Sequence, residues 1–194
     1  MTKPKVGSTF TDSTYTKDTL YHNVPSSGAT LTYTLVDTMA TKAGQANVYE
    51  FISSIDTVWQ HYEANGDLSV YAPFAAAGYT VGSEWVTFPV SSQSSSNITT
   101  LKGFVLDSVT ITGTMQGQGS GTQTVNGTAL AVQKAQMNVS ATSALAGTIP
   151  GTVTISFAPS IGLVTHQVIT TTGTLFGTNI NGGSEKTMIA YTLK

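Results

Sequence analysis

The 194-residue sequence contains no cysteine and no arginine, and only 9% of its residues are charged. Without cysteine, the chain forms no disulfide or zinc–thiolate site and has no thiol nucleophile. Its eight basic residues are all lysines scattered along the chain, so it lacks both arginine and the basic cluster that nucleic-acid binding requires. We therefore expect no nucleic-acid partner.

Long hydrophobic runs are also lacking. No apolar stretch approaches the roughly 18 residues of a transmembrane helix, and residues 1–5 do not form the apolar part of a signal peptide. We expect one β domain over residues 1–194, without a transmembrane segment. We interpret residues 1–6 as the remnant of a linker that follows a removed signal or lipid anchor. This composition is typical of an exported protein.

What the sequence does contain is period-two alternation of apolar and polar residues, interrupted by Gly, Asn and Pro. Leu31, Tyr33 and Leu35, for example, alternate with threonines. Such alternation is typical of half-buried strands, and the spacing gives roughly ten to twelve of them. The predicted fold is an all-β antiparallel meander with little helix.

Short turn signals lie between these strands. Asn65-Gly66 and Asn126-Gly127 each predict a two-residue hairpin turn, since both central residues of that turn need positive φ. The first turn would pair His61 with Val70, which places His61 on an apolar face. The glycine-rich segment 117–121 predicts an exposed loop.

Aromatic residues concentrate in the first half of the chain. One interpretation is an ordinary core, because aromatic side chains dominate core energetics. The other is an apolar cleft or an exposed stacking surface for a lipid or a sugar. On the second interpretation the candidate ligand-binding residues are Tyr49, Phe51, Trp59, Tyr62, Trp85 and Phe88.

Residue patterns for catalysis, cofactors or metals are weak. The three histidines are far apart, and His61-Tyr62-Glu63 is interpreted as structural rather than metal-binding. Ser120 lies among glycines but lacks the strand–turn–helix context of a nucleophile elbow. We expect no enzyme activity, no cofactor and no metal. One alternative stays open, a glycoside-type hydrolase that uses two of four carboxylates: Asp56, Glu63, Asp67 and Glu84.

Three segments carry a resemblance: Pro4 to Phe10, Tyr79 to Trp85, and Phe157 to Val164. In this order they are similar to segments of exported lipoproteins of Gram-negative bacteria, and to the LolA-like half-barrel of the periplasmic lipoprotein carriers. The resemblance implies an envelope lipoprotein domain with a strongly curved antiparallel sheet around an apolar cavity. It implies no catalytic residues.

The leading hypothesis is therefore a non-enzymatic envelope or secreted domain. It would bind a lipid, an acyl chain or an envelope protein on the concave face of its sheet. A surface adhesion or carbohydrate-binding β-sandwich is the alternative. Aromatic rings around an enclosed cavity would favour the lipid, whereas coplanar rings on an exposed face would favour the sugar.

Overall fold

The computed structural model describes residues 1–76, 79–93, 95–103, 109–143, 147–175 and 178–194. Apart from one 3-10 turn at Pro25–Ser27, the regular structure in these ranges is β. Alternating apolar and β-branched residues account for it, since such side chains pack well on a pleated surface. The strands are β1 Thr9–Lys17, β2 Ala29–Lys42, β3 Gln45–Ile52, β4 Thr57–Tyr62, β5 Leu68–Ala76, β6 Tyr79–Phe88, β7 Ser95–Gly103, β8 Val109–Val125, β9 Thr128–Ser143, β10 Gly147–Ala158, β11 Leu163–Thr171, β12 Thr174–Leu175, β13 Thr178–Asn179 and β14 Gly182–Thr192.

Twelve of these strands form one antiparallel sheet in the order β6-β5-β4-β3-β2-β1-β14-β11-β10-β9-β8-β7, and β12 and β13 form a separate small hairpin. The sheet curls until its two edge strands, β6 and β7, approach each other with Cα atoms within 8 Å. The result is a nearly closed barrel. The all-β, strongly curved meander predicted from the sequence is confirmed.

Two hairpins are closed by turns whose central residues both have positive φ. Asn126 and Gly127 have φ values of 47° and 76° and join the paired residues Val125 and Thr128, as the sequence predicts. Ala43 and Gly44 have φ values of 49° and 82°. This second turn was not predicted, because alanine is rarely found at positive φ.

The turn at Asn65-Gly66 differs from the prediction. The Gly66 N–H donates to the Glu63 carbonyl at 3.0 Å, and Gly66 alone has positive φ, at 89°. The loop is therefore one residue longer, and His61 pairs with Ser69 instead of Val70. A shift of one residue reverses the faces of a strand, so the placement of His61 on an apolar face was wrong.

The glycine-rich segment 117–121 lies inside β8 and is not a loop. The register between β8 and β9 shifts between Gly117 and Ser120, and Gly119 has a φ of 79°. A Cβ on Gly117 would come within 2.4 Å of the Gln93 Cα. Glycine there lets the turn after β6 pack against β8, close to the point where the sheet edges meet.

Two clusters of buried side chains fill the barrel. The first centres on Tyr62, Leu68, Phe88 and Phe157, and the second on Phe10, Tyr33, Leu35 and Phe51. Residues before β1 pack against the turn between β10 and β11. The Thr2 N–H donates to the Pro159 carbonyl at 2.8 Å, and Pro4 is buried.

Candidate functional site

The six aromatic residues predicted as ligand-binding lie on two different faces. Tyr49, Phe51, Tyr62 and Phe88 face the interior, where the last three are 0–4% exposed. Of these four, only Phe88 lines the interior cavity described below. Trp59 and Trp85 point outward and are partly exposed. The sequence prediction therefore combined core residues, one cavity residue and two outer-face residues.

The barrel contains a partly open apolar cavity of about 190 Å³. It lies in the barrel interior, and strands from opposite walls of the barrel contribute residues to its lining. The apolar lining includes Val58, Val70, Val86, Phe88, Met137, Val153, Ile155 and Met188.

Six polar residues interrupt this apolar lining: Asp12, Gln60, Thr165, His166, Gln167 and Lys186. Lys186 and Gln167 are direct cross-strand neighbours on β14 and β11. Asp12 follows on β1, where it pairs with Met188, two residues beyond Lys186. The aspartate, the lysine and one glutamine therefore form a polar end of the cavity, which we call the polar rim. Gln60, 3% exposed, lies on the opposite wall.

Asp12 is the most unusual member of the polar rim. Its carboxylate receives no hydrogen bond from the residues that the structure describes. Burial raises the pKa of Asp12 to about 6, and the nearby Lys186 charge offsets only part of that rise. A carboxylate at an apolar wall with no donor is costly, and such groups are found more often at functional sites than elsewhere.

We expect Asp12→Asn to raise the free energy of unfolding by about 2 kcal/mol at pH 8. The pKa of Asp12 rises from its ordinary value of 3.8 to about 6 in the folded state. Ionisation of Asp12 therefore lowers the free energy of unfolding as the pH rises from 3.8 to 6. The gain should shrink below pH 6 and vanish below about pH 4. Urea unfolding across this range measures it, and a loss of stability at pH 8 would contradict the assignment.

The outward residues Trp59 and Trp85 form an aromatic patch with Tyr71. The ring of Tyr71 lies 6.0 Å from Trp59 and 5.4 Å from Trp85, with interplanar angles of 85° and 57°. Lys42 Nζ sits 3.7 Å from the centre of the Trp59 ring, and Trp85 Nε1 donates to the Lys42 carbonyl at 3.0 Å. The rings are thus not coplanar, and a lysine already covers one of them.

A separate open groove of about 560 Å³ crosses β8, β9, β10 and β11. Its side chains are uncharged, and hydroxyl and amide groups predominate. None of the six predicted residues contributes to it. The polar lining includes Thr112, Thr114, Asn138, Ser140, Thr152 and Thr170.

Each histidine is engaged by neighbouring groups. His61 Nδ1 lies 3.3 Å from the Asn47 carbonyl, so it donates there, and Nε2 can accept from the Gln45 amide at 3.1 Å. His166 Nε2 lies 2.8 Å from Glu185 Oε1, and exposed His22 lies 3.7 Å from Asp18. Within the described part of the chain, no group of three His, Asp or Glu residues could hold a metal ion.

The four carboxylates considered for glycoside hydrolysis do not form one cluster, although Glu63 and Asp67 flank the same turn, where the Glu63 N–H donates to the Asp67 carbonyl at 3.0 Å. Asp56 precedes the six-residue strand β4 and Glu63 follows it. At a rise of about 3.3 Å per residue, their backbones are about 20 Å apart, well beyond the spacing of a hydrolytic pair. Glu84 is exposed.

Asp67 is only 5% exposed and accepts hydrogen bonds from Asn65, Ser91 and Ser92. Burial would raise the pKa of Asp67, but these hydrogen bonds outweigh burial and hold it below its usual value. The carboxylate therefore ties the β4–β5 turn to the segment after β6, which is a structural role.

The sequence prediction missed the polar rim. One signal was present, because Asp12 follows Phe10 by two residues in an alternating strand and so shares its inward face. Lys186 and Gln167 gave no comparable signal. They reach the same end of the cavity only because β11 pairs with β14.

Over the described ranges, no helix is long and apolar enough to cross a membrane. Comparison with protein-family models, with curated proteins and with solved structures finds no match to this chain.

Proposed function

We propose that this chain is a non-enzymatic binding domain of the cell envelope or the secreted space, which holds the apolar part of a small ligand inside its barrel. One observation carries the proposal: an apolar cavity with a polar rim inside the barrel. Binding sites for small hydrophobic molecules combine apolar walls with a few polar groups in this way.

The size of the cavity limits the ligand. A volume of 190 Å³ equals that of about six water molecules, and a methylene group occupies a similar volume. The cavity therefore suits an aliphatic chain of about six carbons, or one segment of a longer acyl chain. This is smaller than the sites that hold a whole lipid.

Carbohydrate binding is the second candidate, and the outward aromatic patch favours it. Sugar rings stack on aromatic faces, and Trp59, Tyr71 and Trp85 are accessible in part. The angles between these rings and the lysine over Trp59 make the patch a poor flat platform. The cavity therefore supports the leading proposal better than the patch supports this one.

Filling the cavity tests the proposal. We expect hexan-1-ol to bind the wild-type protein saturably, with chemical-shift changes at the methyl groups of the cavity valines. Val153→Phe places a ring in the cavity and should weaken binding about tenfold or more. Native mass spectrometry with solvent extraction should also find an aliphatic molecule bound to the wild-type protein and not to Val153→Phe.

The matched control is Val36→Phe, because Val36 is 42% exposed and receives the same new side chain outside the cavity. It should bind hexan-1-ol as the wild-type protein does. Absence of saturable binding to the wild-type protein, or equal binding by Val153→Phe, would overturn the proposal.

A further inference from the structure

The polar rim contains an acceptor without a donor. Asp12 lines the cavity, and its carboxylate receives no hydrogen bond from the part of the chain that the structure describes. Asp12 is half-buried, so folding removes part of its hydration without supplying a donor, at a cost in stability. A ligand that brings a hydrogen-bond donor to Asp12 would recover this cost on binding.

The charges near the polar rim decide which donor fits. Lys186 Nζ lies 4.0 Å from Asp56 Oδ2, which also accepts a hydrogen bond from the Tyr33 hydroxyl at 3.1 Å. Lys186 therefore acts on both Asp56 and Asp12, and it is the lysine that offsets part of the rise in the pKa of Asp12. His166 also borders the cavity, but its Nε2 is hydrogen-bonded to Glu185. Two carboxylates thus share one ammonium, so one negative charge at the polar rim is left without a counter-charge.

We propose that the cavity binds an aliphatic amine, whose chain enters the apolar interior and whose ammonium group pairs with Asp12. This inference rests on the proposed function, because it uses the same cavity. An ammonium forms a charge-assisted hydrogen bond with the carboxylate and neutralises the excess charge. A fatty acid would instead bring a second carboxylate next to Asp12, and an alcohol would leave the charge unbalanced.

Three ligands with the same chain and different head groups test the inference. Hexylamine, hexan-1-ol and hexanoate are titrated into the wild-type protein at pH 7.5, with calorimetry or methyl chemical shifts as the readout. We expect hexylamine to bind about tenfold tighter than hexan-1-ol, and hexanoate to bind most weakly. Asp12→Asn should lose the preference and bind hexylamine and hexan-1-ol with similar affinities.

Asp18→Asn is the matched control, because it removes the same charge just after β1, where the Asp18 side chain is 42% exposed and does not line the cavity. It should keep the preference for the amine. Equal affinities for the three ligands, tighter binding of hexanoate, or an unchanged preference in Asp12→Asn would overturn the amine inference and leave the cavity function standing. Absence of binding by all three would overturn the proposed function itself.

Discussion

Replacement of Phe51 by alanine should lower the free energy of unfolding by about 4 kcal/mol. The Phe51 side chain is fully buried, and its ring packs edge-on against Phe10 with ring centres 5.2 Å apart. Truncation removes this contact and leaves a void that strands on both sides cannot fill without a backbone shift. Urea unfolding followed by circular dichroism measures the loss.

The next residue on the same strand provides the control. Ile52 points outward and is 41% exposed, so Ile52→Ala should cost less than about 1 kcal/mol. A loss below 1 kcal/mol for Phe51→Ala would contradict the placement of Phe51 in the core. Because Phe51 does not line the cavity, hexan-1-ol should still bind the folded fraction of the variant.

Replacement of Glu185 by glutamine should lower the free energy of unfolding by about 2 kcal/mol at pH 7, because solvent reduces the full effect of the pKa shift at this partly exposed pair. Glu185 accepts hydrogen bonds from Lys17 Nζ at 2.7 Å and from His166 Nε2 at 2.8 Å. These partners connect β1, β14 and β11, and the Lys17 side chain is only 11% exposed. The variant leaves this lysine charge without its carboxylate, in partly buried surroundings.

The loss should depend on pH in a defined direction. The hydrogen bonds from Lys17 and His166 lower the pKa of Glu185 from its usual 4.5 to about 2. A lowered carboxyl pKa stabilises the folded state above pH 4.5, and this contribution is lost as the pH falls towards 2. The difference between the wild-type protein and Glu185→Gln should therefore shrink over that range.

Glu84→Gln removes an exposed carboxylate and should change stability by less than about 0.5 kcal/mol. A difference between the wild-type protein and Glu185→Gln that stays constant from pH 7 to pH 2 would show that the Glu185 charge is not the source of the stability.

The fold could be predicted from the sequence because its signals are local. Alternation along β2, for example, places Leu31, Tyr33 and Leu35 on one face. Asn126-Gly127 forms the predicted hairpin turn, in which both residues have positive φ. Asn65-Gly66 shows where local signals fail. The same dipeptide forms a longer loop there, and one extra residue was enough to reverse the face assigned to His61.

The cavity could not be predicted in the same way. Its polar end joins Asp12 of β1 to Gln167 and Lys186, which are more than 150 residues away in the sequence. Their meeting depends on the pairing of β1 with β14, which no local pattern indicates. Nor does alternation distinguish an inward aromatic that fills the core, such as Phe51, from one that lines a space, such as Phe88.

The strand order also has a consequence for how the chain folds. Nearly every ladder in the sheet joins strands that are adjacent in sequence or separated only by the β12–β13 hairpin, and β1–β14 is the exception. Local pairings form at a low entropic cost, whereas a distant one must first close a long loop. The two arms of the meander, β1–β6 and β7–β14, can therefore form separately as successive hairpins. Completion of the whole sheet then depends on one late pairing, between the first strand, β1, and the last strand, β14.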